Sequence, residues 1–257
     1  MSFRQLLKIG QRWIWIPCLL ILWSLFARLV HLGTWPFPSP WLTFQKWWWL
    51  FKDGNLLKDI GASLFHVGYG FSISAIIAIS LGVLMGWNKK VFDYLNPFLN
   101  LIRPTPPAAW LPLVVFVWGI GLLPGTLLVI YGSFFPILLN TINGVQNVER
   151  RYVNAALTLG LGKRQLMRNI VVPAAFPSIL VGLRMGFGFA WMVLIIAELI
   201  AVQSGLGYMI LLSVTTLEPE SIIAGMLTIG MVGLGLDQLF RALVNKYILK
   251  WQKGIVI

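Results

Sequence analysis

Arg184 and Glu198 are the only charged side chains in the apolar run Ser178–Val202. In a membrane span each would cost roughly 2.5–3.5 kcal/mol to insert, so each needs a partner or water. They stand fourteen residues apart, which is ~21 Å along a helix axis, too far for a direct pair, although both project in similar directions. Two readings stay open. In one, Arg184 near the inner mouth and Glu198 near the outer end line or brace a solute pathway. In the other, Arg184 extends to headgroups and Glu198 is hydrogen-bonded to an outer loop. A carboxylate repels anions, so Glu198 suits a gate or brace better than an anion site. Ser204, Gly205 and Gly207 then form a flexible turn into the short stretch Tyr208–Val214, either a re-entrant gate or an ordinary outer helix. Arg28 and Asp237, near the ends of their runs, read as interfacial.

Bond-making chemistry has no candidates. His31 and His66 are the only histidines and lie on separate segments, with no H-E-x-x-H, no G-x-S-x-G and no phosphate-cradling G-x-x-x-x-G-K-[ST] loop. Cys18 is the single cysteine, which excludes a disulfide framework and a thiolate metal site. The expectation is a chain that is not an enzyme and holds neither metal nor cofactor.

The segment Glu149–Pro177 has a different character. It carries five Lys/Arg residues, two glycines and two prolines, punctuation that suits a lever docked onto an outside motor. Asn154 is read as a helix N-cap, Ala155 and Ala156 as a narrow surface for another protein's groove, and Gly160 and Gly162 as helix breakers. Lys163, Arg164 and Arg168 follow on a second short helix beside the headgroups, up to Pro173. A long interhelical loop resting on the membrane is the plainer alternative.

The elements that must position these residues follow from composition. The 257 residues are 58% hydrophobic and 11% charged, with mean hydropathy +0.81, too few polar groups to cover a soluble globule. The fold class is an all-α membrane protein, a polytopic bundle in a single domain over 1–257. Continuous apolar runs, unlike the alternating strands of a barrel, give six spans near the ~20 residues a crossing helix needs: Trp13–Leu32, Ser63–Trp87, Ala108–Leu122, Gly125–Gly144, Ser178–Val202 and Ser221–Val244. The first is too bulky for a cleaved signal and lacks a small-residue cleavage site.

Net charge is +12, and its placement argues for topology and anionic lipid rather than nucleic acid. Fifteen Lys/Arg fall on the side assigned to the cytoplasm: Arg4, Lys8, Arg12, Lys89, Lys90, Arg103, Arg150, Arg151, Lys163, Arg164, Arg168, Arg241, Lys246, Lys250 and Lys253. Three, Lys46, Lys52 and Lys58, fall opposite. Both termini are therefore placed in the cytoplasm.

Pro36, Pro38 and Pro40 enforce an extended segment, and Trp41–Phe51 reads as a helix in the outer interface. Gly82-x-x-x-Gly86 and Gly182-x-x-x-Gly186 have the spacing for close helix contacts, within a bundle or across a dimer. Prolines between Arg103 and Pro112 forbid an uninterrupted helix and imply a kinked or late-starting third span.

Asn154-Ala155-Ala156, three residues, Gly160, nine residues, then Ile170-Val171-Val172-Pro173 resembles the cytoplasmic E-A-A, G, I-x-L-P motif of bacterial ABC importer membrane subunits. Asn154 replaces that family's Glu and Val172 its Leu. Phe37–Pro40, Arg103–Pro112, Trp118–Gly121, Gly182–Arg184, Ala197–Ile200, Ser204–Tyr208 and Trp251 extend the likeness to the nitrate, sulfonate, bicarbonate and taurine permeases.

That resemblance implies an inner-membrane permease with a coupling helix between its fourth and fifth spans, which moves a small anion by alternating access. It implies a second permease copy, two cytoplasmic ATPase subunits that bind the ATP and Mg, and a periplasmic or lipid-anchored substrate-binding protein. Asn154, Ala155, Ala156, Gly160 and Pro173 are the coupling residues, and Arg184, Glu198, Ser204, Gly205 and Gly207 the pathway or gate. A secondary transporter or channel working without an ATPase is the alternative, although no internal repeat supports it.

Overall fold

The computed structural model describes residues 15–30 and 37–253, and every regular element among them is helical. In chain order these are α1 (Trp15–Val30), α2 (Pro40–Lys52), α3 (Asn55–Trp87), α4 (Lys89–Ile102), α5 (Pro107–Trp118), α6 (Leu122–Gln146), α7 (Arg150–Thr158), α8 (Lys163–Leu166), a π turn (Met167–Val171), α9 (Val172–Ile200), α10 (Leu206–Thr215) and α11 (Pro219–Lys253). Arg4, Lys8, Arg12, Trp13, His31, Leu32, Pro36 and both termini lie outside the described residues, as do the side chains of Lys246, Lys250, Trp251 and Lys253.

Four described segments are long and apolar enough to cross a membrane: Asn55–Trp87, Leu122–Gln146, Lys163–Ile200 and Pro219–Ala242. These match the second, fourth, fifth and sixth expected spans, with α3 and the α8–α9 rod starting earlier than the apolar runs do. The first expected span falls on α1, a shorter helix. The third, Ala108–Leu122, differs. Gly119 (φ 76°) and Gly121 (φ 155°) end α5 at Trp118 and let Leu122 open α6. Twelve residues reach about 18 Å, short of the ~30 Å hydrocarbon, so α5 alone does not cross.

α6 is the most buried of the long helices, and small residues explain how its neighbours reach it. A methyl added at Gly82 would lie 2.7 Å from Thr141 Cβ, and one at Gly86 2.7 Å from Val145 Cβ. Gly182 and Gly186 are equally tight against Asn140 and Ile137. Both small-xxx-small pairs are thus spent inside the bundle, locking α3 and α9 onto α6. The core splits along the long axis. One cluster gathers Leu56, Val67, Val129, Leu194 and Leu206, and another, at the opposite end, holds Val145, Ala156, Leu166, Val171 and Ala175.

The proline-rich link behaves as its chemistry requires. α5 begins at Pro107, where a missing N–H costs nothing. The Tyr131 hydroxyl donates towards the carbonyls of Ile102 (2.9 Å) and Thr105 (2.8 Å) in this turn. α2 covers the helix expected over Trp41–Phe51: Ser39 caps it, accepting from Leu42 N–H, and Trp47 Nε1 donates to Thr228 Oγ1 of α11 at 2.9 Å. α4 has no counterpart in the sequence reading. Asn88 caps it through Lys90 N–H at 3.0 Å, but it buries no side chain, so an apolar-run criterion passes over it.

Candidate functional site

Apart from Arg184, the site residues singled out by sequence gather at two ends of one helical rod. At the first, α7 and α8 fold beneath the start of α9. α7 begins at Arg150, with Glu149 at the cap and Tyr152 N–H donating to its carbonyl at 3.1 Å. Asn154 is therefore not the N-cap. It lies in the helix interior, exposed, and its carbonyl accepts from Thr158 Oγ1 at 3.0 Å. The helix therefore starts more than a turn earlier than an Asn154 cap would place it, with acidic Glu149 at the end that favours negative charge.

The alanine pair also divides. Ala155 faces out, whereas Ala156 is 2% exposed against Leu166 and Val171. Only one of the two small side chains is free for an outside groove; the other anchors α7 to the rod. Leu161 N–H donates to Ala156 O at 3.1 Å, and Gly160 (φ 79°) makes the turn that a side-chain-bearing residue would strain. Lys163, Arg164 and Arg168 are exposed along the following turns. Pro173 lies in the first turn of α9 directly after the π turn. Its ring would collide with the carbonyl of Asn169 in a regular helix, so the backbone widens there and runs on.

At the far end Glu198 is 0% exposed. Ser63 Oγ lies 2.9 Å from both carboxylate oxygens, His66 Nδ1 3.1 Å from Oε1, and Gly207 N–H donates to Oε2 at 3.0 Å. Ser63 in turn accepts from Leu206 N–H at 2.9 Å. The carboxylate of α9 thus collects donors from α3 and from the first turn of α10. Gly205, at φ 101°, has no room for a side chain: a Cβ there would stand 2.2 Å from Glu198 Oε1. At Gly207 it would stand 2.7 Å from Glu198 Cβ. Glu198 is thus hydrogen-bonded to the turn that opens α10, as one of its two readings expects. The α5–α6 turn meets the same end, where Gly121 N–H donates to Ala201 O at 2.7 Å.

Ser204 and Tyr208 line a recess of about 450 Å³ beside this cluster, together with Lys46, Lys58, Asp59 and Glu218. Lys46 Nζ lies 2.9 Å from Glu218 Oε2, and Ser221 donates to the same carboxylate. Those two hydrogen bonds, the lysine's first, hold the Glu218 carboxyl below its ordinary range.

Arg184 belongs to neither end. Its Nε lies 3.0 Å from Asp237 Oδ1 on α11, and Arg241 Nε 2.8 Å from Asp237 Oδ2. Arg184 and Glu198 thus engage different neighbours despite their similar helical phase. Sequence reasoning missed Ser63 and Asp237 as partners and left His66 without a role. The one sequence signal for the first of these was a pair of polar residues, Ser63 and His66, one turn apart in an otherwise oily run. No group of three or more His, Cys, Asp or Glu able to hold a metal occurs among the described residues.

The model of the family described as "Binding-protein-dependent transport system inner membrane component" matches residues 74–248. A putative ABC transporter permease protein of Methanocaldococcus jannaschii is 40% identical over 201 residues, 78% of this chain and 75% of that protein. The putative aliphatic sulfonates transport permease protein of Bacillus subtilis is 31% identical across 93% of this chain and 87% of its own length. The taurine transport system permease protein of Escherichia coli is 33% identical across 90% and 86%. Among solved structures, a chain of the MetNI methionine ABC transporter in an inward-facing conformation superposes with a TM-score of 0.59 at 16% identity, covering 73% of this chain and 95% of that one. That last likeness is one of fold.

Proposed function

The chain belongs to the binding-protein-dependent transport system inner membrane component family, and from that premise we propose how this multi-pass ABC importer permease works and what it carries. The cargo is a small anion, a sulfonate or taurine first and nitrate or bicarbonate next. Relatives named for aliphatic sulfonates and taurine support the first pair. The permease alternates access between the two faces of the inner membrane, with both termini in the cytoplasm. Two separate ATPase subunits bind ATP and Mg and supply the force. A second permease copy completes the pathway, and a periplasmic or lipid-anchored binding protein delivers the solute. This chain brings no cofactor of its own.

The observation that carries the reading is the exposed face of α7 fixed to the longest helical rod of the bundle. Asn154, Ala155 and Gly160 offer the ATPase a narrow surface at the rod's foot. Ala156 anchors that surface on Leu166 and Val171, and Pro173 marks where the foot joins α9. Arg184, Glu198, Ser204, Gly205 and Gly207 belong to the pathway and its gate. An exposed alanine tolerates a larger side chain without loss of fold, so Ala155→Trp tests docking cleanly. Co-expressed ATPases should co-purify with the native chain and be lost from Ala155→Trp. Undiminished co-purification and transport by that variant would refute docking through α7.

A further inference from the structure

Resting on the permease reading, we propose that Glu198 is a positioning residue for transport. Its carboxylate fastens the end of the rod to α10, so that movement imposed at Asn154–Gly160 arrives at the Ser204–Gly207 turn as displacement of one solid piece. Lys163–Ile200 is a continuous 38-residue segment, about 55 Å at ~1.5 Å per residue. Ala156 ties α7 to its first turns. A rod alone does not move its neighbours; something must grip at the far end, and Glu198 is placed two residues before Ile200, the last residue of α9.

The grip is made of directed hydrogen bonds. Leu206 N–H donates to Ser63 Oγ, while Ser63 O–H, His66 Nδ1 and Gly207 N–H all converge on the Glu198 carboxylate. α10 has no side-chain cap of its own, since Gly205 occupies that position. Its first amides are served instead by a residue of α3 and a residue of α9, and removing either leaves donors buried without a partner. The carboxylate's directed hydrogen bonds fix the geometry of the joint. Gly205 and Gly207 press the turn directly against it. The charged groups around the grip are Asp59 and Lys58, about one turn away on α3, and His66 lies within it. Because α10 supplies Tyr208, Met209 and Leu212 to the wall of the 450 Å³ recess, a rod that carries α10 reshapes that recess with each stroke.

The test uses the full complex in proteoliposomes, with its ATPases and binding protein, in a Cys18→Ser background that frees cysteine chemistry for labels. A spin label at exposed Leu212 on α10 reports the separation between the two permease copies with and without nucleotide. In the native complex the separation should change with nucleotide. In Glu198→Gln, where an N–H₂ group faces one of the converging donors, assembly and ATP hydrolysis should persist within about twofold while solute moved per ATP falls at least tenfold and the nucleotide-dependent change disappears. Ser63→Ala, which keeps the carboxylate and its His66 contact but removes the Ser63 bridge to Leu206, should lose coupling in the same sense. Native solute-to-ATP ratios or a preserved label response in Glu198→Gln overturn the proposal. So does failure of both variants to assemble, which would reduce Glu198 to a folding role. If the native complex neither binds ATPases nor transports, it is the permease reading that fails.

Discussion

The two ends of the α8–α9 rod solve opposite problems. At its foot, α7 is exposed on most of its surface and held by one buried methyl, Ala156, among apolar neighbours. At its head, Glu198 is sealed from solvent and held by directed hydrogen bonds from two other helices. Apolar contacts are non-directional and tolerate sliding; a carboxylate held by several directed hydrogen bonds does not. A surface that must engage and release a partner suits the first kind of attachment, and a joint that must transmit displacement suits the second.

The comparison breaks most visibly at Gly205. Gly205→Ala places a methyl inside the Glu198 carboxylate while keeping a backbone conformation, φ 101°, that disfavours side chains. A loss of about 3 kcal/mol or more is expected, seen as a collapse of monodisperse protein in fluorescence-detected size exclusion on heating. Gly160→Ala, at φ 79° but with open space around it, should cost only about 1 kcal/mol. Equal losses at the two glycines would erase the distinction between the ends.

At the foot, Ala156→Leu overpacks the contact with Leu166 and Val171 and should cost about 1–3 kcal/mol. Its neighbour Ala155→Leu faces out and should change thermal stability by less than about 0.5 kcal/mol. Paired melting curves check this, and a larger effect at Ala155 would invert the assignment of the two faces.

How much of this could be read from the chain alone follows the same division. The foot is written within about twenty-five consecutive residues, so the spacing from Asn154 to Pro173 was enough to find it. Local detail still misled: Asn154 looked like a cap because its chemistry suits one, and only the fold shows Glu149 already there. The head is assembled from Ser63, His66, Glu198 and the amides of Leu206 and Gly207, with the bonded pair Ser63 and Leu206 143 positions apart, and no local pattern announces such a meeting. Arg184 and Asp237 found each other for the same non-local reason. The long helices were legible because apolar runs are continuous. The Gly119–Gly121 break was not, because two glycines inside an apolar stretch look the same whether they turn the chain or pack it.

Smaller effects lie away from both ends. Arg184→Gln should lower stability by about 1 kcal/mol or less, because the Arg184–Asp237 pair is part-exposed and Arg241 still engages the carboxylate. Melting in low and high salt measures it. The smallest is Lys46→Gln. Glu218 is held below its ordinary range by Lys46, so the pair's contribution is present above the usual carboxylate value of 4.5 and is lost as pH falls through the lowered one. With the Glu218 side chain 45% exposed, that contribution should stay under about 1 kcal/mol. The native and Lys46→Gln melting temperatures should differ slightly at pH 7 and converge in acid. Divergence on acidification would contradict the sign.

The most direct measurement is uptake of a labelled sulfonate or taurine into proteoliposomes carrying the purified chain, with and without its ATPases, binding protein and ATP. Uptake that requires all three is the result this account predicts. Solute crossing through the chain alone, at the same rate whether or not ATPase and nucleotide are present, would contradict it.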